Sequence, residues 1–185
     1  YGVKYREKVV KLLKAIALSS GNMVNYETLR LNSGLSYNEV RDILPLLEDS
    51  FVLYIVRPFY KNVINELRKN PKIYFVDYGI RNYLLEQFES LTFDKLYENF
   101  VHNELKRHYT LKYWRTASKT EVDFVVEHKN TAIPIEVKTK PKLTRSYRSF
   151  IQHYKPTIAL MPNLNVIDKI KINGCDVFVV PFVYL

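Results

Sequence analysis

Two neighbouring stretches rich in β-branched residues constrain the fold of this chain more than any other feature. They are Thr120–Val126 and Ile133–Lys138, separated by a short turn, and both read as strands. Because side chains alternate faces along a strand, Glu121 and Asp123 share one face of the first. Glu136 and Lys138 likewise share one face of the second. Charged side chains on strands that otherwise look buried are costly unless something pairs with them.

The partner of these charges has two interpretations. Hard divalent cations such as Mg²⁺ take carboxylate oxygens, which makes a divalent metal ion the natural candidate. The alternative is a salt bridge between Glu136 and Lys138, with Asp123 paired to Arg115 or to a backbone amide. The residues alone leave both interpretations open.

Composition limits the function classes. The chain has 185 residues, 47% hydrophobic residues and a net charge of +9, which favours a polyanionic partner, although solvated lysines explain the same charge. The single cysteine, Cys175, excludes an internal disulfide and a cysteine-based zinc site. No stretch has the length of a membrane helix, so we expect a cytoplasmic protein with no membrane partner. The first residue is Tyr, so we expect a fragment of a longer polypeptide.

The first part, residues 1–90, has the order of three helices followed by two strands. Helical spacing covers Lys4–Ser19, Asn25 can cap a second helix, and Ser36 with Glu39 forms a capping-box signature for a third. Pro45 within the third helix predicts a kink or an early break. The strands are expected at Phe51–Val56 and Lys72–Val76, with a connecting helix capped by Asp77.

This order is typical of a winged helix, which contacts DNA through its third helix and wing or docks proteins with the same architecture. The third helix carries Glu39, Asp42, Glu48 and Asp49 against a single Arg41. That acidity favours protein docking over insertion beside phosphates.

The second part, residues 91–185, predicts a small mixed sheet with helices packed on it. The order αβββαββ makes the fold class α/β (α+β). The expected helices are Phe93–Tyr109 and Thr144–Tyr154, and the expected strands are Leu111–Thr116, Thr120–Glu127, Thr131–Lys138, Thr157–Met161 and Val177–Tyr184.

The helix at Phe93–Tyr109 supplies a third acid. Glu98 lies at the edge of its apolar stripe and is the first choice for the site, with Glu104 in reserve. A mixture of positive and aromatic side chains near the end of this helix could hold nucleic acid, or pack as an ordinary amphipathic surface. The candidate nucleic-acid contacts are Lys106, Arg107, Lys112 and Trp114.

Four linked motifs occur in order along the chain. A glutamate on a helix, an aspartate on a strand and Glu-x-Lys on the next strand resemble the PD-(D/E)XK nuclease superfamily. The full sequences of the four motifs are similar to the C-terminal parts of archaeal and bacterial AAA-type ATPases of uncharacterised role. In that group a P-loop ATPase module precedes a winged helix and a restriction-endonuclease-like domain. The motifs are Tyr97-Glu98-Asn99-Phe100-Val101 through Glu104-Leu105, Tyr113-Trp114-Arg115-Thr116, Glu121-Val122-Asp123-Phe124 and Ile135-Glu136-Val137-Lys138, and the segment Lys72–Ile80 is similar to the junction in that group.

The resemblance implies a role for each matching residue. Asp123 and Glu136, with the carbonyl of Val137, would ligate Mg²⁺ or Mn²⁺, and Glu98 would complete the coordination. Lys138 would orient the attacking water and stabilise charge on the phosphate. The candidate accessory residues are Glu104, Glu121 and Arg115.

The leading hypothesis from the sequence is a metal-dependent DNA endonuclease attached to an upstream ATPase. The competing hypothesis is a catalytically inactive module that binds DNA or protein and regulates that ATPase. The five glycines cannot form a Walker loop, so we expect no nucleotide bound by this chain itself. Self-association into a homo-oligomer is left open.

Overall fold

The computed structural model describes residues 3–60, 69–86 and 93–185, which form an α/β fold with a helical N-terminal part. In those residues the α-helices are α1 Val3–Ser19, α2 Tyr26–Ser33, α3 Tyr37–Asp49, α4 Tyr78–Leu85, α5 Phe93–Lys106 and α6 Arg145–Tyr154. The strands are β1 Leu53–Val56, β2 Lys72–Phe75, β3 Leu111–Arg115, β4 Glu121–His128, β5 Thr131–Ile135, β6 Ile158–Asn163, β7 Asp168–Ile172 and β8 Cys175–Pro181.

Side-chain caps begin the short helices, as the sequence predicted. Asn25 accepts a hydrogen bond from the Glu27 amide at the start of α2. Ser36 and Glu39 form a reciprocal capping box at the start of α3. Asp77 caps α4 by accepting from the Gly79 amide, which confirms its structural role.

The expected break at Pro45 is wrong, because α3 continues through it to Asp49. Pro45 itself is exposed, while Val40, Ile43 and Leu44 of the same helix are buried in the N-terminal core. Burial of that face, together with the capping box, offsets the missing backbone hydrogen bond at the proline.

Strands β1 and β2 form a two-stranded antiparallel sheet beside the three helices, in the register Leu53 to Phe75 through Val56 to Lys72. Every residue of β2 is buried, including its lysine. One face packs in the N-terminal core through Ile73 and Phe75, and Tyr74 packs in a second core with α5 and the large sheet. The small sheet thus connects the two parts of the chain.

The large sheet has six strands in the order β3-β4-β5-β6-β8-β7. Strands β3, β4 and β5 form an antiparallel meander, and β6 lies parallel to both β5 and β8. Helix α6 makes the crossover between β5 and β6, and its residues Tyr147, Phe150 and Ile151 are buried with residues of β4, β6 and β8. Residues of α5 are buried in another cluster with β3, β4 and β5.

Several element ends differ from the predicted ones. Helix α5 ends at Lys106 rather than at Tyr109, and β5 ends at Ile135, so Glu136 and Lys138 follow the strand. Strand β7 was not predicted, because Asp168–Ile172 is mostly exposed and lies at the sheet edge. The last strand begins at Cys175 and ends at Pro181, where a 3₁₀ turn begins. The predicted boundary between residues 90 and 91 lies outside the described residues.

Among the residues that the structure describes, no helix is both long enough and apolar enough to cross a membrane.

Candidate carboxylate site

The site lies where β5 stops pairing with β4. The antiparallel ladder ends at the pair Phe124 and Ile135. Beyond it, the amide of Val137 donates to Oδ2 of Asp123 at 2.9 Å, so a side chain takes the place of the next backbone partner. The amides of Glu136 and Lys138 instead donate to carbonyl groups of β6, those of Leu160 and Pro162. This change of partners brings the Asp123 carboxylate beside the Glu-x-Lys segment.

Glu136 and Lys138 point to the same side, as the alternation predicted. Lys138 Nζ lies 3.0 Å from Glu136 Oε1, and the Thr144 hydroxyl donates to the same oxygen at 3.2 Å. Glu136 is 4% exposed, and its Oε2 is buried without a hydrogen-bond partner among the residues that the structure describes. Burial raises the pKa of Glu136, although Lys138 opposes this shift. One oxygen of this carboxylate is therefore unsatisfied, which is costly.

Asp123 has a more strongly shifted pKa. Burial, together with the nearby charges of Glu98 and Glu136, raises the pKa of Asp123 to about 7, while Lys72 and Lys138 act in the opposite direction. The structure thus brings the three predicted acids close enough to interact electrostatically. Like charges at such a position are relieved by a proton or by a cation.

Glu98 differs from the other two acids because its oxygens already have partners. Oε1 lies 3.1 Å from Lys72 Nζ and accepts a 2.5 Å hydrogen bond from the Tyr74 hydroxyl, and Oε2 lies 2.7 Å from Lys95 Nζ. Although burial acts in the opposite direction, the two lysines lower the pKa of Glu98 to about 2. Glu98 is therefore a fixed anion in a buried ion-pair network.

That network continues to the accessory residues predicted on β3 and β4. Lys72 Nζ lies 2.7 Å from Glu121 Oε1, and Arg115 Nη1 lies 2.5 Å from Glu121 Oε2. Arg115 thus pairs with Glu121, not with Asp123. The other accessory candidate, Glu104, forms a 3.2 Å ion pair with the exposed Arg107.

The contacts of the salt-bridge alternative are present. Glu136 and Lys138 form an ion pair, and a backbone amide donates to Asp123. Within the described part of the chain, each contact uses only one of the two oxygens of its carboxylate. In the described residues, no three His, Cys, Asp or Glu side chains converge as a group able to hold a metal. The oxygen donors of Asp123 and Glu136 fit a hard divalent cation, whereas those of Glu98 are engaged by lysines. Metal ligation by Asp123, Glu136, Val137 and Glu98 stays a prediction.

The predicted nucleic-acid contacts occupy different environments. Lys112 pairs with Glu127 at 2.9 Å, and Trp114, 7% exposed, packs its ring against Phe150. Lys106 and Arg107 are exposed at the end of α5. The edge of Trp114 reaches a cleft of about 990 Å³, whose positively charged lining residues are Lys69, Arg115 and Lys119.

Sequence reasoning missed Lys72, Tyr74 and Lys95. Lys72 and Tyr74 lie two positions apart on β2 and approach the same oxygen of Glu98. A lysine that opens a buried strand was the available signal, because it needs an anionic partner as much as a buried acid needs a cation. Lys95 carried a weaker signal, its position one helical turn before Glu98.

Two family models match the chain. A domain of unknown function (DUF8612) matches residues 1–91, and a second (DUF4143) matches residues 93–180. The second domain is typically found in AAA-ATPase-associated proteins.

Two mycobacterial proteins are similar to the chain: the uncharacterized protein Mb2031c of Mycobacterium bovis and the uncharacterized protein Rv2008c of Mycobacterium tuberculosis. Each is 28% identical over 140 residues, a match that covers 70% of this chain and 32% of the relative. The chain thus spans about a third of the length of these curated relatives.

Proposed function

We propose that the chain is a metal-dependent nuclease module of the PD-(D/E)XK type that hydrolyses phosphodiester bonds of DNA. The observation that carries the proposal is the buried Oε2 of Glu136, which has no hydrogen-bond partner in the described ranges, beside the Asp123 carboxyl with its raised pKa. Two acids that are unfavourable without a cation, next to a lysine, match the chemistry that phosphodiester hydrolysis needs.

The residues of the chain divide the work between them. Asp123 and Glu136 would hold Mg²⁺ or Mn²⁺, which when bound polarises the phosphate and lowers the pKa of its water. Lys138 would stabilise charge on the phosphate and orient the attacking water. Thr144 and the Val137 amide position the two carboxylates through the contacts given above.

We infer that the module works in a longer polypeptide with an upstream AAA-type ATPase. The association of the second matching domain with AAA-ATPase-associated proteins supports this arrangement, as does the length of the mycobacterial relatives. The three helices and the two-stranded sheet of the N-terminal part would then act as a winged helix between ATPase and nuclease. The acidity of α3 favours docking to protein as its role.

The second candidate is a nuclease-fold module without activity that regulates the ATPase by binding. The observation that favours it is the state of Glu98, whose two oxygens are held by lysines. A site that satisfies its own helix carboxylate has less need of a metal ion.

The discriminating experiment incubates the chain with supercoiled, linear and branched DNA in Mg²⁺ or Mn²⁺. The matched variants are Asp123→Asn and Glu136→Gln, which keep side-chain size and remove the charge. Cleavage by the unmodified chain that both variants lose supports the nuclease. Tight DNA binding without cleavage by all three proteins would replace it with the binding module.

A further inference from the structure

Lys72 is a fully buried lysine that the N-terminal part contributes to the carboxylate site. Its side chain is 1% exposed, and its ammonium contacts Glu98 at 3.1 Å and Glu121 at 2.7 Å. These acids belong to α5 and β4, so the lysine joins three elements. Both acids, together with Asp123, raise the pKa of Lys72 against the effect of burial, so it is charged.

The backbone of β2 fixes where this ammonium lies. Lys72 pairs with Val56 in the small sheet and forms a further bridge with Met23. Tyr74, two residues later, donates to the same oxygen of Glu98. Because two residues of one short paired strand contact Glu98, the backbone of β2 fixes the position of the Lys72 side chain in the site.

The four acids of the site differ in how many of their carboxylate oxygens the protein already contacts. Glu98 is bound by Lys72 and Lys95, one on each oxygen. Glu121 is bound by Lys72 and Arg115 in the same way. Asp123 and Glu136 each have one protein-bound oxygen and one other. Among the residues that the structure describes, only these last two acids offer an oxygen that no lysine or arginine holds.

We propose that Lys72 is a built-in cation that limits the site to one divalent ion, bound by Asp123 and Glu136. Its ammonium fills the space between Glu98 and Glu121, where a second ion of a two-metal site would need those same oxygens. The inference deepens the proposed function, because the number of metal ions fixes how the leaving oxygen is stabilised.

Mn²⁺ titration of the whole chain tests the proposal without relying on cleavage. Calorimetry gives the stoichiometry and affinity, and electron paramagnetic resonance counts the free ion. We expect one Mn²⁺ per unmodified chain. Lys72→Met should bind a second ion, or the first at least about tenfold more tightly, because a unit charge beside the acids is gone. The matched control is Lys95→Met, which removes the same charge from the other oxygen of Glu98 and should still bind one ion.

The outcomes separate this inference from the proposed function. One ion with equal affinity in the unmodified chain and in folded Lys72→Met overturns the inference and leaves the nuclease standing, as do two ions in the unmodified chain. Binding only by Lys72→Met overturns both, because the unmodified chain would then hold no ion, and binding by neither protein also overturns both. If Lys72→Met lacks a native circular dichroism spectrum, Lys72→Gln, which removes the charge but keeps a hydrogen-bond donor for Glu98 and Glu121, takes its place with the same expectation.

Discussion

The hydroxyl of Tyr74 donates a 2.5 Å hydrogen bond to Glu98, and this contact connects the small N-terminal sheet to helix α5. Both residues are buried, and the ring of Tyr74 stacks on His102 at a centroid distance of 4.7 Å. Tyr74 of the N-terminal part is therefore a structural partner of the candidate site, although it lies 24 residues before Glu98 in the sequence.

Tyr74→Phe should destabilise the chain by about 2 kcal/mol, because it removes a buried hydrogen bond to a charged acceptor. The ring and its stacking on His102 are kept. The free energy of unfolding in urea measures the change, and Tyr83→Phe, at a 73% exposed tyrosine, is the matched control. Equal stability of the two variants would show that the hydroxyl contact contributes nothing.

Asp123 should make the metal-free chain less stable as the pH rises from about 4 to 7. Its pKa is raised to about 7 from an ordinary 3.8, so in this interval the folded chain holds a proton that the unfolded chain has released. That stabilisation is complete below the unfolded pKa and is lost as the pH rises through the folded one. The side chain of Asp123→Asn is always neutral. At pH 8 the free energy of unfolding of this variant should therefore exceed that of the unmodified chain by on the order of 2–4 kcal/mol.

Urea unfolding in EDTA from pH 4 to pH 8 checks this difference between variant and unmodified chain. Asp42→Asn, at an exposed acid of α3, is the control and should follow the unmodified chain throughout. A constant difference between Asp123→Asn and the unmodified chain would contradict the shifted pKa.

Thr144 serves two functions through one hydroxyl. It caps α6 by accepting from the Tyr147 amide at 3.1 Å, and it donates to Glu136 at 3.2 Å. Thr144→Ala should cost about 1 kcal/mol or more, the usual cost of a lost cap, since a buried carboxylate also loses a donor. Thr144→Ser keeps the hydroxyl and should keep most of the stability in a thermal or urea melt. A serine variant as unstable as the alanine variant would assign the effect to the methyl group instead.

Helix starts and strand faces could be predicted from the sequence because their signals come from residues that are close together in the chain. The capping box at Ser36, the cap at Asp77 and the alternation around Asp123 each depend on residues within a few positions, and each is present. The exposed edge strand β7 has a weak pattern, because only Ile172 of its five residues is buried.

The ion-pair network could not be predicted in the same way. Lys72 lies 26 residues from Glu98 and 49 from Glu121 along the chain, so their contacts depend on how the small sheet packs against α5 and β4. The sequence placed Glu98 at the edge of the apolar stripe of its helix. It did not show that a lysine of the N-terminal part would hold the Glu98 carboxylate.

Pro45 lies inside α3, and replacing it should stabilise the chain. The helix runs from Tyr37 to Asp49, so an amide at position 45 would face the carbonyl of Arg41 one turn earlier, where proline has no donor. Pro45→Ala should therefore raise the free energy of unfolding by about 2–3 kcal/mol, the difference between proline and alanine in a helix interior. The residue is exposed, so no core contact is lost. Urea unfolding measures the gain, with Asp42→Ala in the same helix as the control. A gain no larger than that of the control would mean that α3 has already adapted its backbone to the proline.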